Sequence, residues 1–266
     1  MRSLKRFICL LLFFNIYACS GDIEAPYVER SVNALYNNAL NALEANEYSK
    51  ATKSFEEVER QHPYSVWATK AQLMAAYANY EANKYDDAIF GLDRFIQLHP
   101  GNADTPYAYY LKALSYYEQI TDISRDQLVT EKALKALRNV VRRYPQTKYA
   151  RSALLKIDLT RDHLAGKEMS IGRFYLKKKE YTAAVNRFNR VINQYQTTTH
   201  VPEALHRSVE AYTALGLPKE AKKAASVLGH NYPGSEWYTD SYALLMGKKL
   251  SKKKKGFLNR IWNSVF

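Results

Sequence analysis

The chain is short of the residues that interrupt a fold or staple it. Its 266 residues include two cysteines, eight prolines and ten glycines. So few breakers weigh against a loop-rich all-β fold and favour long helices. Two cysteines cannot build the disulfide framework of a small exported domain. Constellations that perform chemistry are missing too. The six histidines, His62, His99, His163, His200, His206 and His230, are scattered, and none has another histidine at metal-ligand spacing. There is no glycine-rich phosphate loop, and the acidic pairs Glu56-Glu57 and Asp86-Asp87 fall on or beside solvent faces of the helices predicted below. No catalytic residue, metal site or diffusible cofactor is expected, and the chain reads as a non-enzyme.

Balanced charge is lacking only at the ends. The formal charge is +13, of which three positive charges (Arg2, Lys5, Arg6) lie in the first eighteen residues. Seven more (Lys248, Lys249, Lys252, Lys253, Lys254, Lys255, Arg260) lie in residues 248–266, which contain no acid. Removing both groups leaves +3 for everything between. A nearly neutral body has no broad field for tracking phosphates, so nucleic acid is not an expected partner.

What is present begins with a leader. The basic start is followed by an uninterrupted apolar stretch over residues 7–14, then Asn15 and Ile16-Tyr17-Ala18-Cys19-Ser20. The stretch is far short of the roughly 20 apolar residues that span a bilayer, and the layout is that of a secretory signal peptide over 1–18. Cys9 would leave with it, so Cys19 would be the one cysteine kept. The small Ala18 before Cys19, with Ile16 two further back, resembles the lipobox of bacterial lipoproteins, with Tyr17 an uncommon occupant of its place. That resemblance implies diacylglycerol on the Cys19 thiol and an acyl chain on the new amino terminus. Each buried acyl methylene contributes about 0.8 kcal/mol, so several chains on one residue anchor permanently. Ser20, where enteric lipoproteins kept in the inner membrane carry Asp, implies sorting to the inner face of the outer membrane. Residues 19–29 would be a lipidated tether.

Beyond the tether the sequence repeats. His62-Pro63-Tyr64-Ser65, His99-Pro100-Gly101-Asn102, Tyr144-Pro145-Gln146-Thr147, Tyr195-Gln196-Thr197-Thr198 and Tyr232-Pro233-Gly234-Ser235 share one pattern. Twelve residues before the Pro position stand Ala51, Ala88, Ala133, Ala184 and Ala221. Four after each Ala come Phe55, Leu92, Leu137, Phe188 and Ala225, and three before the first, second and fourth come Tyr48, Tyr85 and Tyr181. The pattern resembles the tetratricopeptide repeat, a helix–turn–helix unit. Ala lets two helices approach, Pro ends the second helix, and a following Ser, Thr or Asn can cap the next. Each hairpin leaves an apolar face that only its neighbours can cover. The expected fold is an all-α solenoid over 30–247, with units at about 30–64, 65–101, 102–147, 148–198 and 199–236 and then a closing helix.

The Pro-to-Pro spacings of 37, 45, 51 and 37 place two enlargements. In the third unit, polar residues 120–129 read as a lengthened loop. In the fourth, residues 149–179 hold no Pro and read as one long helix with Leu154, Leu155, Ile157, Leu159 and Leu164 toward the core; a break at Gly166 is the alternative.

In tetratricopeptide arrays the first helix of each unit lines the concave face. That register puts Tyr36, Leu40 and Leu43, then Lys70, Leu73, Tyr77 and Tyr80, then Tyr107, Tyr110, Leu114 and Tyr117 on the face of the first three units. Arg173, Lys177, Glu203, His206 and Glu210 follow in the last two. A Tyr-rich half and a charged half result. Tyr offers apolar area with a hydrogen-bonding tip at low entropic cost, which suits an extended peptide. The other reading keeps these rings as packing within helix pairs, as for Tyr48, Tyr85, Tyr175 and Tyr181. In the tail, Phe257, Leu258, Ile261, Trp262, Val265 and Phe266 fall on one helical stripe after the lysine run. An interfacial membrane helix, a partner-docking segment and a segment folded back on the last repeat all fit that stripe.

A lipobox followed by five such units resembles the BamD family, the lipoprotein subunit of the outer-membrane β-barrel assembly (BAM) machinery. Asp93-Arg94-Phe95-Ile96 and Val185-Asn186-Arg187 look like family segments in the second and fourth repeats. The resemblance implies a periplasm-facing scaffold docked on the POTRA domains of the central barrel protein, alongside other BAM lipoproteins. Arg187 matches a family arginine important for that coupling. It also implies that the N-terminal repeats take the aromatic-ended C-terminal signal of unfolded outer-membrane proteins. The lysine-rich tail is not part of the family pattern. The runner-up is another exported adaptor, such as a Tol–Pal-associated coordinator, although those carry an N-terminal coiled coil for which this chain leaves no room.

Overall fold

The computed structural model describes residues 29–123 and 125–247, and among the described residues every regular element is an α-helix. The helices are α1 (Val32–Glu44), α2 (Tyr48–Gln61), α3 (Val66–Glu81), α4 (Tyr85–Leu98), α5 (Thr105–Tyr117) and α6 (Leu128–Arg143). They continue with α7 (Lys148–Lys177), α8 (Tyr181–Gln194), α9 (Val201–Ala214), α10 (Pro218–Asn231) and α11 (Glu236–Leu245). Odd and even helices pair as consecutive hairpins from α1–α2 to α9–α10, and α11 packs on α9 and α10. This is the all-α, tetratricopeptide-like solenoid that the repeat pattern predicts.

The repeated residues do the same work in every unit. Ala51, Ala88, Ala133, Ala184 and Ala221 are all fully buried on the second helix of their hairpins. One turn later Phe55, Leu92, Leu137 and Phe188 are fully buried too, with Ala225 close behind. A small residue where helices touch, followed by a large one that fills the space between them, is ridge-into-groove packing written at a spacing of four. The residue before each Pro position ends the second helix. His62, His99, Tyr144, Tyr195 and Tyr232 are its C-caps, each donating its backbone N–H to the carbonyl four residues back. The expected capping of the following helix holds at three of the five joints. Ser65, Thr147 and Ser235 accept from the backbone N–H of Trp67, Ala150 and Tyr238 at 3.2 Å each. At the other two the polar residue stays in the turn: Asn102 accepts from Asp104 N, and Thr198 donates to the Tyr195 carbonyl.

First and second helices are joined by a turn built on one left-handed residue. Asn46, Asn83, Lys179 and Gly216 have φ of 59°, 59°, 64° and 71°. At the first of these Asn46 N donates to Leu43 O and Glu47 N to Ala42 O, and the other three repeat that pair of bonds. This is the Schellman closure, which satisfies the last carbonyls of a helix. The third unit has no such turn. Its first helix stops at Tyr117 and its second starts at Leu128, so the predicted loop is present but gives up its last two residues to α6. The loop lies over the middle of α7, where Lys167 Nζ donates to the Arg125 carbonyl at 3.2 Å.

Helix α7 runs thirty residues without a break at Gly166. One part of its reading needs correction. Ile157 and Leu164 are buried, but Leu154, Leu155 and Leu159 are 50%, 70% and 59% exposed. The buried seam of the first half is Ala150, Ala153, Ile157, Thr160 and Leu164, a three-four spacing that leaves those three leucines off the stripe. Farther along, the seam moves to Ala165, Met169 and Gly172, because α7 outlasts α5 and α6 and passes on to α8 and α9. No helix among the described residues is long and apolar enough to cross a membrane.

Candidate peptide-binding face

The hairpins stack unequally on their two sides. Each first helix meets the backbone of the first helix of the next unit, from α1 on α3 to α9 on α11. Among the described residues second helices stay apart in their backbones and meet only through side chains such as Arg94 of α4 on Glu59 of α2. The row of first helices is therefore the inner side of a curved stack, and side chains that point away from their own hairpin along this row line one continuous face.

Tyrosines gather there in the second and third units. Tyr149, at the start of α7, has its ring centroid 5.5 Å from those of both Tyr107 and Tyr110 on α5. Tyr80 on α3 packs edge-on against Tyr85 at 5.7 Å. Tyr77, Tyr80, Tyr107, Tyr110 and Tyr117 are all half-buried: each has one side in the core and one side open. Tyr117 stands apart from the cluster, with Lys156 Nζ 4.2 Å from the centre of its ring. Tyr36 is not part of the face. It is 8% exposed, packed on Phe55 at 5.5 Å and Trp67 at 4.6 Å, and so belongs to the core of the first two units. Leu73, placed on the same face by register, is buried as well.

Burial and the carboxylates of Glu81 and Glu118 act on these phenols in one direction. Burial raises the pKa of Tyr77, with Glu81 adding to it, and Tyr107 is raised by burial and by its neighbour Tyr77. Tyr80 is pushed up to about 12, by burial first and then by Glu118. A raised phenol favours folding in its neutral form. That contribution is complete below the unfolded value near pH 10 and is lost as pH rises through the folded values. Alkaline titration should show part of the phenolate absorbance appearing late, well above the ordinary value and around pH 12 for Tyr80, together with a falling unfolding temperature. A single phenolate transition near pH 10 for all tyrosines would contradict the cluster.

The second half of the face is ionic. Arg173 on α7 forks onto Glu203 of α9, with Nε–Oε1 at 3.0 Å and Nη2–Oε2 at 2.8 Å. Arg207 bonds Glu210 at 2.7 Å. His206, placed on this face by register, is instead 2% exposed, with Nδ1 2.8 Å from Ser241 Oγ and the Trp237 ring 5.3 Å away, so it fastens α11 to α9. Beside these ions lies an open groove of about 590 Å³, whose lining includes Leu176, Tyr181, Ala214 and Leu244. Arg187 sits on α8, paired with Glu168 of α7 at 3.1 Å. Glu168 also holds Arg190 at 2.8 Å, so one largely buried carboxylate sets two guanidiniums side by side.

Two contributors escape the register argument. Tyr149 completes the aromatic cluster, and Glu168 orients Arg187. The signal for the first is periodic: Trp67, Tyr149 and Trp237 each stand two residues after a capping Ser or Thr, and each packs back on the preceding first helix. Among the described residues there is no group of three or more His, Cys, Asp or Glu placed to hold a metal. Cys19 and the tail residues Phe257, Ile261, Trp262 and Phe266 lie outside the described residues.

Comparison with known proteins agrees with the repeat reading along most of the chain. A family model described as YfiO, outer membrane lipoprotein, matches residues 28–228. A Caulobacter vibrioides protein named outer membrane protein assembly factor BamD is 52% identical over 239 residues, covering 89% of this chain and 78% of its own length. Its namesake from Rickettsia prowazekii is 50% identical over 226 residues, covering 85% and 88%. One from Neisseria meningitidis serogroup A is 34% identical over 255 residues, covering 91% and 96%. With the family model matching about three quarters of its length and relatives this similar over most of theirs, the chain belongs to the BamD family of outer membrane protein assembly factors.

Proposed function

We propose that this chain is a non-enzymatic scaffold of outer-membrane β-barrel assembly, held to the inner face of the outer membrane by lipid on Cys19. Its first three units would take the C-terminal segment of an unfolded barrel protein. Its later units, with Arg187, would dock on the POTRA domains of the central barrel subunit, beside the other BAM lipoproteins. The observation that carries this reading is the half-buried tyrosine cluster of Tyr77, Tyr80, Tyr107, Tyr110 and Tyr149 on the inner row of helices. Rings fixed on one side by packing and open on the other give a rigid, amphipathic surface, which loses little entropy when a strand ending in an aromatic residue lies on it. The docking role has a different support: Glu168 holds Arg187 and Arg190 as a fixed cationic pair suited to a carboxylate on a partner.

Affinity purification from detergent-solubilised membranes tests the assignment. The expected result is co-isolation of a large barrel protein with periplasmic domains, which is lost when Arg187 and Arg190 are both replaced by Glu. Recovery of Tol–Pal components instead, with no barrel protein, would assign the chain to the other class of envelope adaptor.

A further inference from the structure

Helix α11 ends as the first helix of a repeat ends. Met246 N donates to Tyr242 O, Gly247 N donates to Leu244 O at 3.2 Å, and Gly247 has φ of 68°. The same left-handed residue, in the same place, follows α1, α3, α7 and α9, and there it sends the chain back along the first helix as the second. Among the described residues nothing returns along α11. Its outer side shows Tyr242 at 49% and Met246 at 56% exposure, flanked by half-buried Ala243, Leu244 and Leu245. A terminal repeat normally closes a solenoid with a polar outer face, and this one does not.

We propose that the C-terminal segment of this chain covers that face, with the apolar stripe Phe257, Leu258, Ile261, Trp262, Val265 and Phe266 lying on α11 in the place where other units pack a second helix. Chain position is the first argument. The stripe starts ten residues after the turn at Gly247. Ten extended residues reach about 33 Å, twice the length of a ten-residue helix, so the segment can return to α11 without strain. Register is the second. Five residues after the turn, where the other units bring Ala51, Ala88, Ala184 and Ala221 into the seam, this chain has Lys252. The lysine run therefore cannot enter the seam, and the apolar residues that can are delayed until after Gly256. Charge is the third. Lys252 to Lys255 would pass the amino-terminal end of α11, where Glu236 is exposed and Asp240 half-exposed. A ten-residue helix is unstable alone in water, so the stripe needs a surface, and the nearest apolar one is α11.

Amide exchange in residues 236–245 tests the proposal by comparing the full chain in detergent with a chain cut after Leu250. Exchange in α11 is expected to be about tenfold slower in the full chain. Ile261→Asp with Trp262→Asp should abolish that protection, and Asn259→Asp with Asn263→Asp, on the polar side of the stripe, should keep it. Equal exchange in the cut and full chains overturns the proposal. So does protection that arises only when anionic phospholipid vesicles are added, which makes a lipid surface the occupant. Protection that grows with protein concentration also overturns it, in favour of a second copy.

Discussion

Gly172→Val should be strongly destabilising, lowering stability by about 3 kcal/mol or more. A Cβ at Gly172 would stand 2.4 Å from Phe188 Cε1, 2.8 Å from Cδ1 and 2.9 Å from Cζ. Phe188 cannot swing aside. It is fully buried in the cluster that holds Met169, Ala184, Val191 and Leu205. The only relief is to push α8 away from α7, which opens the seam that Ala184 closes. For a domain of this size each kcal/mol lowers the unfolding temperature by about 2–4 °C. A solenoid loses stability locally, so the last two units should unravel before the first three. Room made for the methyl should rescue it: Gly172→Ala with Phe188→Leu is expected to cost less than the two single changes added together. Strict additivity in thermal unfolding would mean that the close approach is not what constrains this position.

Tyr77→Ala combined with Tyr110→Ala should reduce crosslinking to a barrel C-terminal peptide by about tenfold or more, while binding to POTRA domains is unchanged. The two rings lie on different first helices, and each keeps one side open. Removing both takes away the apolar floor without touching Arg187 or Glu168. Because each ring is also half in the core, some loss of stability accompanies the change, and Tyr77→Phe with Tyr110→Phe separates the two effects. The Phe pair keeps the packing and the apolar floor, so it should retain most of the peptide crosslinking. Crosslinking as strong in the Ala pair as in the parent chain would take the groove assignment away and leave these rings as core.

Much of the fold is legible because the constraint recurs. Ala at the helix contact, a large residue one turn later and a C-cap before Pro are each demanded by local geometry, so five imperfect copies reinforce one another. The polar loop after Tyr117 and the great length of α7 follow from the Pro-to-Pro spacings read with composition, which leave a break at Gly166 open; the helix runs through it. Side-chain direction on α7 is harder, since the buried seam drifts around the helix as its partners change, and Leu154, Leu155 and Leu159 look like core to any count of leucines. Tyr36 fails for a related reason. Trp67 from the next unit folds over the ring that register alone leaves open. Lys179 shows the limit of reading turns from residue type. It holds the left-handed position that Asn or Gly fills elsewhere, so the turn is fixed by the repeat and not by the residue.

The closer approach of successive first helices than of successive second helices has a mechanical consequence. Each second helix packs on the next first helix, but only the first helices continue that backbone contact to one another, so the stack bends about their row as a fan bends about its rivet line. A small change of spacing among the first helices becomes a larger displacement among the second helices, where exposed side-chain pairs such as Arg94 on Glu59 offer little resistance. A strand lying across the tyrosines of α3, α5 and α7 therefore acts on the short arm of the lever, and Arg187 on α8 rides on the long one.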